Sequence, residues 1–283
     1  MIGLQTISDK AKALEQKQEE VILPTNGLVA FFDVLGYKDI ISNNEISEAV
    51  RIIRNLLFKI PKKFEQEFPT FQHIEKSLLP SHLIFSDSIL IYTPLDSPPF
   101  GDQGYKDMVS DRFVHYCREM LAYSFLAGLP LRGAIARGDY YIKDSCFAGK
   151  PIVEAYTLGN LLDLSGCALT LGTEDEIPFS KDASEMFFGC DIPLKGHGKQ
   201  KLFMLDYYPA LKRQSPAIRK NFRKNIVAQF KAHKKRIGVE VFGKINNTLD
   251  FLKKCKSRKH RGIFGNAGGG GSRKSRSANK RLK

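Results

Sequence analysis

The stretch 29-VAFFDVLGYKDII-41 sets an acidic residue inside an apolar strand. Val29 to Phe32 lead into Asp33, Val34 and Leu35 follow, and Gly36 opens a helical pattern. Removing a carboxylate from water is costly unless something compensates its charge. The unbroken apolar run fits a strand buried on both faces, not one that alternates between core and solvent. What lies around Asp33 therefore bears on both fold and function.

A second aspartate has the same setting. In 83-LIFSDSILIY-92, Asp87 stands at the tip of a hairpin whose arms are 82-HLIF-85 and 89-ILIY-92. If that hairpin lies beside the first strand, both carboxylates converge at one end of the sheet. A hard divalent cation, Mg²⁺ or Mn²⁺, would compensate both, taking one or two carboxylates and completing its shell with substrate phosphate oxygens. A glycine opening a helix just after Asp33 lets backbone N–H groups of Val34, Leu35, Gly36 and Tyr37 approach a polyphosphate. Taken singly, either aspartate reads as a helix cap or turn residue. The pair, each in a strongly apolar strand, points to a metal site at Asp33 and Asp87.

The frame around these motifs is a chain of 283 residues, 42% hydrophobic and 11% aromatic, enough to bury a core. Cys117, Cys146, Cys167, Cys190 and Cys255 are scattered and show neither zinc-ligand nor disulfide-framework spacing. No basic-then-apolar leader and no membrane-spanning apolar run is visible, so a cytoplasmic location is expected. Charge is divided unevenly. Residues 1–206 carry 21 Lys+Arg against 28 Asp+Glu, and residues 207–283 carry 23 against 2. The basic end reads either as solvated helices with a frayed tail or as an attraction to nucleic acid, anionic lipid or an acidic partner.

Along the chain, residues 8–20 predict a polar helix, so that 1–26 form an N-terminal helix and linker, followed by a strand at 28–34 and a helix over 45–67. After the hairpin come a Pro-rich loop, a helix over 107–128, a strand at 131–138 and a helix over 152–164 in which Gly159 is a weak point. Segments 167–172 and 201–208 read as strands, and 215–236 and 240–255 as helices. Residues 267–283 read as a Gly-rich joint with a cationic end, disordered. The expected division is 27–210 as the body, 211–264 as a basic helical extension and 265–283 as tail. The order of elements points to an α/β (α+β) sandwich with one sheet covered by helices.

The FxDxxG pattern in 31-FFDVLG-36, the Ser86-Asp87 hairpin and 132-RGAIARG-138 together resemble the class III nucleotide cyclase catalytic domain. The subset most resembled is the bacterial pyrimidine cyclases of anti-phage signalling, and 149-GKPIVEAYTLGNLL-162 is similar to the segment carrying their active-site helix. The resemblance implies a ferredoxin-like βαββαβ core with two Mg²⁺ or Mn²⁺ ions on Asp33 and Asp87. It also implies a homodimer with shared sites, and conversion of a nucleoside triphosphate to a 3′,5′-cyclic nucleotide plus pyrophosphate by two-metal displacement.

The sequence departs from the familiar adenylate and guanylate cyclases. Their active-site helix carries an Asn and, four residues on, an Arg, where this chain has Glu154 and Leu158, with Asn160 nearby. No arginine lies between Arg137 and Arg213, so a cation for the transition state would come from Arg132, Arg137, Lys38, Lys150 or the basic end. Leu83 stands where the purine-selecting lysine would, which directs the expectation to a pyrimidine, UTP or CTP. Arg132 and Arg137, five apart in one strand, fall on different faces. Ser86 and Glu154 join the expected substrate contacts, and Tyr156 reads as core. Three functions remain in view: an active cyclase, an inactive cyclase-like module that senses nucleotides or scaffolds a partner, and a nucleic-acid-binding protein acting through its basic end.

Overall fold

The computed structural model describes residues 23–54, 80–96, 103–143, 146–173, 177, 179–215 and 222–258. Its central strand is the apolar run, β1 (Thr25–Val34), which pairs antiparallel with β3 (Ser88–Pro94) and with β4 (Leu131–Lys143). β2 (Ser81–Phe85) forms the predicted hairpin with β3. Helices α1 (Tyr37–Asn43), α2 (46–54) and α3 (Gln103–Leu126) lie between these strands in the chain. The result is a βαββαβ unit with strand order β2-β3-β1-β4, the expected ferredoxin-like arrangement.

Beyond β4 the sheet grows. β5 (Cys146–Gly149) folds back on β4, and α4 (Lys150–Leu161) crosses to β6 (Gly166–Leu169), which runs parallel to β4. After the short α5 (Lys181–Ser184), β7 (Phe187–Leu194) and β8 (Gly198–Leu205) complete an eight-stranded sheet. Neither β5 nor β7 was expected from sequence. β7 contains Gly189 and Pro193, and proline is tolerated in a sheet chiefly on an edge strand, which β7 is.

Both faces of β1 are covered, which accounts for its continuous apolar run. Leu28, Ala30 and Phe32 belong to the larger core on the α3 side, while Val29 and Phe31 join Ala134, Ala136, Ile152 and Ala155 beneath α4.

The basic extension is part of the larger core. α6 (Tyr208–Gln214) is held to α3 by Arg213 and Gln214, both bonded to the buried Glu119. α7 (Phe222–Ala232) and α8 (Val239–Ser257) bury Ile226, Phe230, Ile245, Phe251 and Leu252 in the cluster that holds Phe113 and Leu121. The single helix expected over 215–236 is interrupted: α7 stops at Ala232, and Lys234 turns the chain with φ 53°. The expected helix 8–20, residues 55–67 of the second expected helix, and the tail lie outside the described residues. Among the described residues no helix is long and apolar enough to cross a membrane.

Gly159 has a packing role. A Cβ there would sit 2.9 Å from Gly133 Cα and 3.2 Å from its carbonyl carbon, so α4 meets β4 backbone to backbone. Alanine would raise helix propensity by about 1 kcal/mol, whereas forcing apart packed backbones costs about 1–3 kcal/mol. The second effect dominates because the neighbour is main chain and cannot rotate away. Gly159→Ala is expected to lower the urea-unfolding free energy by about 1–2 kcal/mol, and an unchanged or raised midpoint would contradict this packing.

Candidate active site

Asp33 is the penultimate residue of β1, opposite Ser88 on one side and Arg132 on the other. The strand end is pinned across both neighbours, since Val34 N–H donates to Asp87 O (2.9 Å) and Leu35 N–H to Pro130 O (2.9 Å). The first bond ties the Ser86-Asp87 turn to β1, with Ser86 in the left-handed region at φ 55°. Gly36 then turns the chain at φ 78°, ψ 21°, a conformation that favours glycine, and α1 begins.

The charge of Asp33 is compensated within the chain. Arg132 donates to Asp33 Oδ2 through Nε (2.9 Å) and approaches it with Nη2 (2.8 Å). The same guanidinium donates to Asn160 O through Nη1 (3.2 Å) and to Asn160 Oδ1 through Nη2 (3.1 Å). The sequence reading assigned this compensation to metal; the residue that supplies it lies 99 positions away, on the paired strand. Asn160 reaches Arg132 from the last turn of α4, where the Gly133–Gly159 contact brings helix and strand together.

Burial holds the Asp33 carboxyl above the ordinary aspartate range; Arg132 pulls it down, and Asp87, facing it, pushes it up again. The structure therefore brings Asp33, Asp87 and Arg132 together as expected, and adds Asn160. Among the described residues no group of three or more His, Cys, Asp or Glu side chains is placed to hold a metal. Two facing carboxylates, one with Oδ2 already bonded to Arg132, suit a hard cation that takes most of its remaining ligands from a substrate's phosphate oxygens. Mg²⁺ or Mn²⁺ fits this donor set.

The other sequence candidates fall in different places. The backbone N–H groups of Val34 and Leu35 are engaged within the fold, while Gly36 and Tyr37 lie at the start of α1, whose first N–H groups have no intrahelical acceptor. Lys38 is exposed in the first turn of that helix. Ser86 is an exposed turn residue beside Asp87. Arg137 is not at the site: it stands opposite Leu28, roughly 16 Å along β4 from Arg132 and on the α3 face. Its contact is with Asn26 Oδ1 (3.5 Å). Glu154 pairs with Lys150 at 3.4 Å, about 9 Å along α4 from Asn160. Tyr156, read as core, is 50% exposed and meets Phe31 edge-on at 5.1 Å.

No protein-family model and no curated protein matches the chain. Among solved structures it is similar to the adenylyl cyclase CyaB from P. aeruginosa, at 14% identity and TM-score 0.47, over 65% of this chain and 94% of that one. It is also similar to a guanylate cyclase domain from Catenaria anguillulae in complex with GTP, at 13% identity and TM-score 0.45, over 64% and 96%. A bacterial light-regulated adenylyl cyclase matches at 12% identity and TM-score 0.44, over 79% and 68%.

The two aspartates differ in what they leave behind when removed. Asp33→Ala strips the acceptor from a guanidinium whose side chain is only 12% exposed, with an expected cost of about 2 kcal/mol. Asp87→Asn keeps the turn and removes a repulsive neighbour, so its stability should stay within about 0.5 kcal/mol of the parent. Urea unfolding of the two variants side by side checks this, and equal losses would contradict it.

Proposed function

We propose that the chain is a metal-dependent nucleotide cyclase, converting a nucleoside triphosphate to a 3′,5′-cyclic nucleotide with release of pyrophosphate. The observation that carries this reading is the convergence of Asp33 and Asp87 at the end of β1, beside the Gly36 turn and Arg132. Mg²⁺ or Mn²⁺ bound by the two carboxylates would neutralise phosphate charge and favour ionisation of the attacking 3′-hydroxyl. Asp33 and Asp87 would hold the metal at the reacting end of the substrate, and the Gly36 and Tyr37 N–H groups would take phosphate oxygens. Arg132, presented from β4 and steadied by Asn160, provides the cation that the active-site helix lacks. UTP or CTP is the substrate class we favour, because Leu83 offers no hydrogen bond to a purine edge.

A homodimer belongs to the same proposal. Phe85 stacks on Phe147 at 5.2 Å, and Phe31 links Phe85 and Tyr156 at 6.0 and 5.1 Å. Phe85, Phe147, Val153 and Tyr156 are exposed, forming an aromatic patch that starts two residues before Asp87. A second copy seated there would cover the patch and complete the site.

A second reading, a nucleotide-binding module without turnover, draws on Arg132, whose guanidinium is already engaged by Asp33 and Asn160. Action through a basic C-terminal end on nucleic acid or another polyanion is less well supported. The apolar faces of α7 and α8 lie in the core, and Arg213, Lys244, Lys253 and Arg258 have acidic partners.

Incubation with UTP, CTP, ATP or GTP and Mn²⁺ or Mg²⁺, read by mass, is expected to yield a cyclic mononucleotide and pyrophosphate. Chelation or Asp87→Asn should reduce turnover at least 100-fold. Binding without product from any of the four would favour the second reading.

The patch makes a separate prediction. Phe147→Asp is expected to shift the chain from dimer to monomer by light scattering and to lower specific activity at least tenfold. An active monomer would remove the dimer from the proposal.

A further inference from the structure

Lys235 lies in the turn between α7 and α8, only 5% exposed. Its ammonium donates to two main-chain carbonyls, Leu35 O at 2.8 Å and Gly128 O at 2.9 Å, and rests 4.8 Å from the Phe230 ring centre. Burial pushes its pKa down to about 7, and the charge of Asp39 acts in the opposite direction. A methionine would fill the same space without the desolvation penalty of a buried cation. The two acceptors are therefore what distinguish a lysine here from an apolar side chain.

One acceptor belongs to the loop that follows Asp33. The Leu35 carbonyl and the Gly36 N–H are the two ends of one planar, trans peptide, so they point in opposite directions. Fixing the carbonyl on Lys235 fixes the N–H away from Lys235. The residue is held from both sides, because Leu35 N–H donates to Pro130 O. Lys235 also stands against Gly36 itself, where an added Cβ would lie 3.1 Å from Lys235 Cδ.

The turn carrying Lys235 is fastened to the same elements. Asn43 Nδ2 donates to Lys234 O (2.9 Å), Asn44 Nδ2 to His233 O (3.1 Å), and Arg236 N–H to Asp39 Oδ2 (3.0 Å). His233 Nε2 lies 2.8 Å from Ala127 O. These bonds fix the backbone that carries Lys235 against α1 and its flank.

We propose that Lys235 is a positioning residue for the phosphate-facing loop, orienting the Leu35–Gly36 peptide so that the Gly36 N–H is presented to the substrate. This rests on the reading of that loop as a phosphate contact. Without the Leu35 bond the peptide is free to rotate, which would put a carbonyl where a donor is needed. A lysine some 200 residues from Asp33, within the basic extension, would thus determine the affinity for a triphosphate that it does not itself touch.

The test uses the full chain and its binding of UTP, CTP, ATP and GTP, each with Mn²⁺, by calorimetry. For the triphosphate that the wild-type chain binds best, Lys235→Met is expected to weaken binding about tenfold while the protein stays folded by circular dichroism. Phe230→Leu, which loosens the same packing but leaves the Leu35 carbonyl bonded, should lower the unfolding midpoint with affinity changed less than twofold. Gly36→Ala disturbs the same peptide, so adding Lys235→Met to it should weaken binding by much less than a further tenfold. Should methionine prevent folding, Lys235→Gln, which keeps a donor, is expected to bind more tightly than Lys235→Ala at equal folded fraction. Unchanged affinity in folded Lys235→Met, or in both Gln and Ala variants, overturns the proposal. A wild-type chain that binds none of the four triphosphates overturns the nucleotide reading, and this proposal with it.

Discussion

The ion pair between Asp33 and Arg132 is the contact around which the site is organised. It exists because β1 and β4 pair antiparallel in a register that sets these residues opposite each other. Paired strands place such partners within a few ångströms and on one face. A slip of one residue would turn one partner to the other face and leave two charges buried without compensation. The pair sits on the α4 side, and α4 closes on it only because Gly133 and Gly159 let two backbones touch. Asn160 then completes the guanidinium's set of acceptors. Charge compensation, strand register and helix packing are thus three aspects of one arrangement.

That arrangement leaves a carboxylate in an unusual condition. Asp33 is partly desolvated, attracted by Arg132 and repelled by Asp87. For folding alone, two facing acids are unfavourable, and neutralising Asp87 would relieve the repulsion without disturbing the Asp33–Arg132 pair. Destabilising features of this kind gather where chemistry is done. A cation arriving with a polyphosphate would relieve the repulsion, which is why the proposed function draws on these residues and not on the general likeness to cyclase folds.

The basic C-terminal region of the chain has a structural meaning that its charge conceals. Its helices supply Phe230, Ile245, Phe251 and Leu252 to the core, and Tyr207, fully buried at the start of this region, donates its hydroxyl to Ser165 O (3.2 Å). Thr248 Oγ1 accepts from Ser165 N–H (2.9 Å), and Asn247 Nδ2 donates to Asp163 O (2.9 Å), so α8 also secures the connection between α4 and β6. Net charge describes the outer faces of such helices, and amphipathic periodicity describes the inner ones. The two properties are independent, and both are present here.

Residues 29–41 and 83–92 carried local information sufficient to place β1, the β2–β3 hairpin, the Gly36 turn and the two candidate aspartates. Strand patterning, turn chemistry and a left-handed glycine depend on neighbours a few positions apart, so they are legible in a single sequence. The partner of Asp33 was not legible, because register across 99 residues is decided by how whole strands meet. Strand alternation put Arg132 and Arg137 on different faces, but which of the two meets Asp33 was set by register: Arg137 lies in the middle of β4, opposite Leu28. Tyr156 looked like core because aromatic residues usually are, yet it lies half exposed on the flank of α4, edge-on to Phe31. Lys235 gave no local signal at all, since a lysine in a basic run reads as solvated. Only the packing of the α7–α8 turn against the Gly36 loop removed it from water and gave it two carbonyls to hold.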